Sequence, residues 1–291
     1  MKLFHASLSA RIFLEYHRRF PDKKLFVLRS YGYRDGDDKE FRSTLRDKCA
    51  GLVSDSGTYS LNNRKTPPPR PITLQGFINY ALRHGHCYDD IFNFDSDFTA
   101  EGFATNIDNQ IRMEEAGLKP VPVIHDIFGD EIQYYIDKGY QKVAIGSSQI
   151  TDFETLYYVV KKFEGTNVKL HLFGTVKYHL IAYLPIHSCD TSSWVYTGQY
   201  GYIRYYNKHK GKTDKIYLDE YMHPDKKHKI HYSSYEFRYE LDRYWDEELN
   251  IGYEHLLGNA GTFYKQLVNL HYLVQLEERV NQMHKDYGFR T

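Results

Sequence analysis

The stretch KVAIGSSQITDFETLYYVVKKFEGTNVKLHLFGT, residues 142–175, decides the fold class. It opens on a short apolar run ending in Gly and Ser, and closes on a second run ending in Gly-Thr. Such runs read as buried strands. Between them Asp152 stands where an N-cap belongs, ahead of FETLYYVVKKF, and Gly165 follows where a helix stops. A strand, a helix and a strand at this spacing make a crossover unit with parallel strands.

The same alternation runs outward in both directions. Further strand-like runs are KLFHAS (2–7), KLFVLRSY (24–31), AGLVSDSG (50–57), DIFNFDSD (90–97), KPVPVIHD (119–126) and IHSCDTSSW (186–194). TLQGFINYALRHG (73–85) places Leu74, Phe77, Ile78 and Ala81 on one helical face and stops at Gly85. Eight strands alternating with helices predict an α/β fold, a (β/α)8 TIM barrel, with a C-terminal helical extension. Such a barrel takes ~250 residues as one domain, so residues 1–291 are expected to form a single domain. Within it, NNRKTPPPRP (62–71) reads as a loop. Residues 199–232 are basic, tyrosine-rich and weakly patterned, and the chain looks helical from about residue 234.

Lys and Arg number 38, equal to Asp and Glu, so any nucleic-acid surface must be local. The cysteines Cys49, Cys87 and Cys189 are odd in number and far apart, which argues against a disulfide framework and for a reducing compartment. The N-terminus has no long apolar region with a cleavage site, and no apolar run reaches the ~20 residues a membrane span requires. The expectation is a cytoplasmic protein.

Active sites of such barrels lie at the C-terminal strand ends. The polar residues there are Asp55 and Ser56, Asp95 and Asp97, His125, Gly146 with Ser147 and Ser148, Gly174, and Asp190. Asp90 and Asp126 read as caps or loop residues. Asp55 and Asp190 read as chemistry. Gly57 allows a sharp turn beside the first, and the second sits in a polar cluster ending an apolar strand. Two carboxylates facing one cavity suit glycosidic chemistry, one at the sugar C1′ and one at the leaving group. The residues alone leave open which takes which role. Arg64, Lys65 and Arg70 follow the Asp55 strand. Arg204 to Lys229 holds eight Lys/Arg against four Asp/Glu, Arg204, Lys208 and Lys210 among them, with Tyr205, Tyr206, Tyr217 and Tyr221 interleaved. This segment reads either as a phosphate- and base-binding surface or as a solvated loop. Tyr59, Phe94, Phe98 and Trp194 are candidate walls for a base pocket. His84-Gly-His86 has ligand-like spacing but falls at a helix end.

In these strand-end motifs the chain resembles the tRNA-guanine transglycosylase superfamily. Ser54-Asp55-Ser56-Gly57-Thr58-Tyr59 is similar to its Asp-Ser-Gly-Gly-Phe motif, with Thr58 for the second Gly. Asp95, favoured over Asp97, stands for its base-reading aspartate. His125 replaces a glutamine. Gly146-Ser147-Ser148 resembles its backbone contact to the base, Leu172-Phe173-Gly174-Thr175 its Met-Gly-Val-Gly, and Ser188-Cys189-Asp190-Thr191 its nucleophile motif. The ordered set covers roughly residues 49–197. Residues 199–291 hold no cysteine, so the expectation is that the zinc site of the tRNA-acting members is absent, and the segment to Trp194 fits the 7-deazaguanine DNA transglycosylases of bacteria and phages better. The resemblance implies exchange of guanine in DNA for a free 7-deazaguanine such as preQ0, without metal or redox cofactor. Asp190 is then the nucleophile and Asp55 the acid/base. Alternatives are a tRNA-guanine transglycosylase with a reduced RNA-binding part, a barrel glycoside hydrolase, and a non-catalytic nucleic-acid-binding barrel.

Overall fold

Lys2–Ala6 (β1), Leu25–Ser30 (β2), Cys49–Asp55 (β3), Asp90–Ile91 (β4), Val123–Ile124 (β5), Lys142–Ile145 (β6), Lys169–Leu172 (β7) and Ser188–Thr191 (β8) form one sheet. Each lies inside a run read as a strand from the sequence, except that β3 begins one residue earlier, at Cys49. The computed structural model describes residues 1–33, 36–62, 71–146, 150, 152–218, 230–258 and 260–289. The sheet order is β4-β3-β2-β1-β8-β7-β6-β5 and every pairing is parallel. This curled, all-parallel α/β sheet is TIM-barrel-like. Beyond the ends of the sheet, Phe92 and Val121 form a parallel bridge, with Asn93 N–H on Val121 O and Val121 N–H on Ile91 O, both 2.8 Å.

One face of the sheet gathers a single apolar cluster of Phe4, Ala6, Leu28, Val53, Phe92, Val121, Val123 and Ala144, with Phe26 and Phe173 against it. These alternate along their strands, as period-two geometry requires, and they come from strands at both ends of the sheet order. A second cluster packs Phe77 and Ile78 of the helix Leu74–His84 and Met113 of the helix Phe103–Glu115 against Phe94, Tyr31 and Ile72. Local signals behave as the sequence indicates. Thr73 Oγ1 caps Leu74–His84 by accepting from Gly76 N–H, and Asp152 caps Phe153–Lys162 by accepting from Thr155 N–H at 2.8 Å. His84 ends its helix and meets Arg42 at 2.9 Å.

The chain divides into two compact units. Residues 1–10, 24–191 and 277–291 form the first, and 11–23 with 192–276 the second. The second replaces the weak patterning expected over 199–232 with a hairpin of Tyr202–Asn207 (β9) and Lys212–Tyr217 (β10), antiparallel, with Ile230–His231 (β11) parallel to β10. Ile203, Tyr205, Asn207, Asp214 and Ile216 face inward. The buried Asp214 accepts from Tyr235 Oη at 2.7 Å and Asn207 Nδ2 at 3.1 Å, which satisfies a charge that would otherwise be costly there. Helices follow at Arg238–Arg243 and Gly261–Asp286. Among the described residues no helix is long and apolar enough to cross a membrane.

Candidate active site

Asp55 lies two residues beyond Val53, on the face of β3 that carries the interior cluster. The Ser30 hydroxyl and the Gly57 N–H bond to its carboxylate, yet its Oδ1 is out of solvent and has no hydrogen-bond partner among the described residues. Burial, outweighing the Ser30 hydrogen bond, pushes its carboxyl up to about 7, and the charges of Asp190 and Asp95 push the same way. Two other strand-end carboxylates therefore act on Asp55, as in a shared site where like charges and burial combine to hold a proton.

Asp95 follows β4 and is buried. Its Oδ2 meets His125 Nε2 at 2.7 Å, and its Oδ1 accepts from Thr58 Oγ1 at 3.3 Å. Thr58 Oγ1 in turn meets Ser56 Oγ at 3.0 Å. A polar chain thus links the ends of β3, β4 and β5. Asp97 stands apart. It is a turn residue, accepting from Thr99 N–H at 2.9 Å and Thr99 Oγ1 at 2.8 Å, and these bonds hold its carboxyl below the usual range. Asp95, not Asp97, joins the cluster.

His125 is held from both sides. Its backbone N–H donates to the buried Glu131 carboxylate at 2.8 Å, and Phe98 stacks on its ring at 4.4 Å. In a neutral imidazole, Asp95 on Nε2 favours the tautomer with its proton on that nitrogen, with Nδ1 as the acceptor. Gly146, ending β6, faces that nitrogen. A Cβ there would lie 3.0 Å from Nδ1, so any larger residue crowds the acceptor.

Asp190 is buried on β8, and Gly174 N–H donates to its Oδ1 at 3.0 Å. The buried His171 of β7 places Nε2 3.5 Å from the same oxygen. Asp55, Ser56, Asp95, His125, Gly146, Gly174 and Asp190 all belong to the first unit. Ser147 and Ser148, and Arg64, Lys65 and Arg70, lie outside the described residues.

The remaining residues of the expected nucleic-acid surface belong to the second unit. Arg204 is largely buried, which lowers its pKa, and donates to Ser193 Oγ at 3.3 Å. Lys210 lies 3.5 Å from Glu236 and over the Phe237 ring. Lys208 is exposed. Tyr205 and Tyr217 are core residues and present no open face for stacking. Of the proposed pocket walls, Phe94 packs in the second apolar cluster and Trp194 is fully buried in the second unit. Phe98 stands on His125, with the exposed Tyr59 6.4 Å away. Asp126 makes a turn, accepting from Phe128 and Gly129 N–H at 3.0 Å, and Asp90 pairs with Lys142.

Sequence reasoning passed over Ser30, Glu131, His171 and Ser188. His171 was the findable one, since a polar residue on the inward register of an apolar strand, three before Gly174, asks for a partner. Among the described residues no group of three or more His, Cys, Asp and Glu has a metal-holding arrangement. No protein-family model matches the chain, and no curated protein matches it.

Proposed function

We propose that this chain is a closed (β/α)8 barrel, the Phe92–Val121 bridge joining its sheet ends, and that it exchanges guanine in DNA for a free 7-deazaguanine of the preQ0 kind. The observation that carries the reading is the buried Asp55 carboxyl, raised by burial and by the charges of Asp190 on β8 and Asp95 beyond β4. A glycosidic exchange needs a protonated acid near neutrality beside a carboxylate able to attack C1′. Asp190, oriented by Gly174 N–H, forms the bond to C1′. The C1′–N9 bond breaks, and its electron pair leaves with guanine, which takes the Asp55 proton. The incoming base then gives its N9 proton to the Asp55 carboxylate. Its N9 bonds C1′, and the Asp190 carboxylate departs. Asp95, His125 and the backbone at Gly146 form the base-reading edge. A base within a duplex must be extruded to reach them.

DNA is favoured over tRNA because residues 199–291 carry no cysteine for the zinc element of the tRNA-acting relatives. The test is exchange of radiolabelled guanine into DNA and into tRNA, with wild type and Asp190→Asn, and a denaturing gel for the protein–nucleic-acid adduct. Exchange into DNA, with exchange and adduct both lost in Asp190→Asn, is expected. Exchange into tRNA alone overturns the polymer, and an adduct that persists in Asp190→Asn overturns the nucleophile. Release of free sugar would identify a hydrolase. Salt-sensitive DNA binding without exchange would identify a non-catalytic binder.

A further inference from the structure

We propose that His171 is the positioning residue of Asp190: Ser188 fixes its tautomer, so that Nε2–H faces Oδ1 and holds the carboxylate ionised and oriented. The inference rests on the reading of Asp190 as the attacking group, and it extends to how that group is kept ready.

The argument begins with register. His171 of β7 pairs directly with Ser188 of β8, and Asp190 lies two residues further along the same face. Ser188 Oγ meets His171 Nδ1 at 2.9 Å, while Nε2 lies 3.5 Å from Asp190 Oδ1. Nε2 is out of solvent and has no hydrogen-bond partner among the described residues. The ring is 1% exposed and packs against Phe92 at 4.8 Å, Phe173 at 4.8 Å and Phe4 at 6.1 Å. Three aromatic rings thus surround an imidazole whose Nε2 is out of solvent.

Two tautomers are open to a neutral imidazole. If Nδ1 carried the proton, the Nε2 lone pair would face a carboxylate oxygen in a dry site, where repulsion is weakly screened. If the Ser188 hydroxyl donates to Nδ1, the proton sits on Nε2 and points at Oδ1. The second arrangement satisfies both contacts. The separation of 3.5 Å is longer than a good N–H···O bond. It closes as the carboxylate turns toward C1′ or returns from it.

Chemistry follows from the charge. A carboxylate loses its negative charge when it bonds C1′ and regains it on leaving. A donor on Oδ1 favours the ionised form, so it favours Asp190 as the leaving group of the second step. Asp55 and the neighbouring Cys189 both feel the Asp190 charge, and the His171 ring stands 3.5 Å from its Oδ1. On β1 the residue in register with Asp190 is Phe4, which carries no charge. His5, one residue on along β1, is held neutral by burial near neutral pH, and His171 Nε2–H is placed to offset the Asp55 repulsion.

The test measures the Asp190 titration midpoint by carboxyl carbon-13 NMR, the signal assigned by its loss in Asp190→Asn, in wild type and three variants. His171→Leu should raise the midpoint by about one pH unit or more, the size set by losing one hydrogen bond to a charged group. His171→Gln, which keeps a donor, should largely restore it. Ser188→Ala, which leaves the ring in place but frees its tautomer, should shift it in the same direction by less. In exchange assays His171→Leu should lower kcat, leave the KM for free base unchanged and accumulate adduct. An Asp190 midpoint unmoved in folded His171→Leu overturns the proposal. Should that variant not fold, an unmoved midpoint in Ser188→Ala does so. If no polymer is exchanged by wild type, the transglycosylase reading fails, while the NMR midpoint still decides whether His171 acts on Asp190.

Discussion

His125 Nε2 lies 2.7 Å from Asp95 Oδ2, and this contact ties the end of β5 to the segment leaving β4. Both side chains are buried. The contact settles two questions at once. It selects Asp95 over Asp97 as the inward carboxylate, and it favours the imidazole tautomer with its proton on Nε2. On the proposed reading, guanine and 7-deazaguanines present a donor-rich edge, and a carboxylate beside an acceptor imidazole nitrogen is an acceptor-rich one.

Removing that contact should weaken base binding more than it weakens the fold elsewhere. His125→Ala leaves the Asp95 carboxylate with Thr58 alone and takes away the ring under Phe98. A hydrogen bond to a charged group contributes about 1.5–3 kcal/mol, so the free 7-deazaguanine should bind about 10- to 100-fold more weakly by calorimetry. His125→Gln, which keeps a donor toward Asp95, should recover most of the loss. Equal binding by wild type and His125→Ala would remove His125 from the base-reading edge.

Gly57 tests how far the Asp55 turn depends on backbone geometry. Its φ is +78°, and a Cβ would sit 2.8 Å from Gly32 Cα and N and from Ser30 Oγ. Ser30 is one of the groups that hold Asp55. Gly57→Ala should therefore lower the melting temperature and reduce exchange together. Gly117→Ala is the control. It has φ +88° but open space around the missing Cβ, so it should cost only about 1 kcal/mol of left-handed strain and leave exchange intact. Similar activity losses in the two variants would show that the Gly57 contact carries no special weight.

The eight strands were legible because most are short runs rich in β-branched or aromatic residues that end in Gly, Ser or Asp, and most of their residues are buried in the sheet. The strand-end rule places Asp55, Asp95, His125 and Asp190 at the C-terminal ends of the strands from the sequence alone. The β9–β10 hairpin escaped notice because Asp214 and Asn207 occupy its buried face and break the apolar alternation. Their partners, above all Tyr235, are distant in sequence, and no local pattern announces them. The same holds for Glu131, whose capture of the His125 N–H is set by how a helix start meets a strand end. Tyr205 and Tyr217 looked like stacking residues because composition cannot distinguish a tyrosine facing a core from one facing a ligand.

Acid should destabilise the protein through two histidines. Burial holds His5 at about 3, and burial reinforced by the cations Lys142, Lys2 and Lys169 holds His187 at about 3. Unfolded, both titrate near 6.5. Their contribution is therefore complete above about pH 6.5 and is lost as pH falls toward 3, at about 1.4 kcal/mol per pH unit for each. Urea midpoints measured between pH 7 and pH 5 should fall accordingly. In His5→Leu the slope should lessen by one proton's worth. An unchanged slope would mean that His5 titrates in the native state as it does in the unfolded chain.

Asp55 acts in the opposite direction, and its replacement separates stability from function. Its carboxyl is raised to about 7 in the folded state, chiefly by burial, against about 3.9 unfolded. Below about pH 4 both states hold the proton and nothing is lost. As pH rises toward 7 the unfolded chain ionises while the native one does not, so stability drains away across that window and levels off above it. Asp55→Asn has no such loss. It should match wild type near pH 4 and exceed it by on the order of a few kcal/mol at pH 8, while exchange falls because the proton donor is gone. Wild-type guanine release in a single turnover should decline as pH passes 7, as the donor ionises. Chemical denaturation at pH 4 and pH 8 reads the first expectation. If Asp55→Asn shows no gain at pH 8, the Asp55 carboxyl is already ionised in the folded state at that pH without penalty, and the role of acid passes to another group.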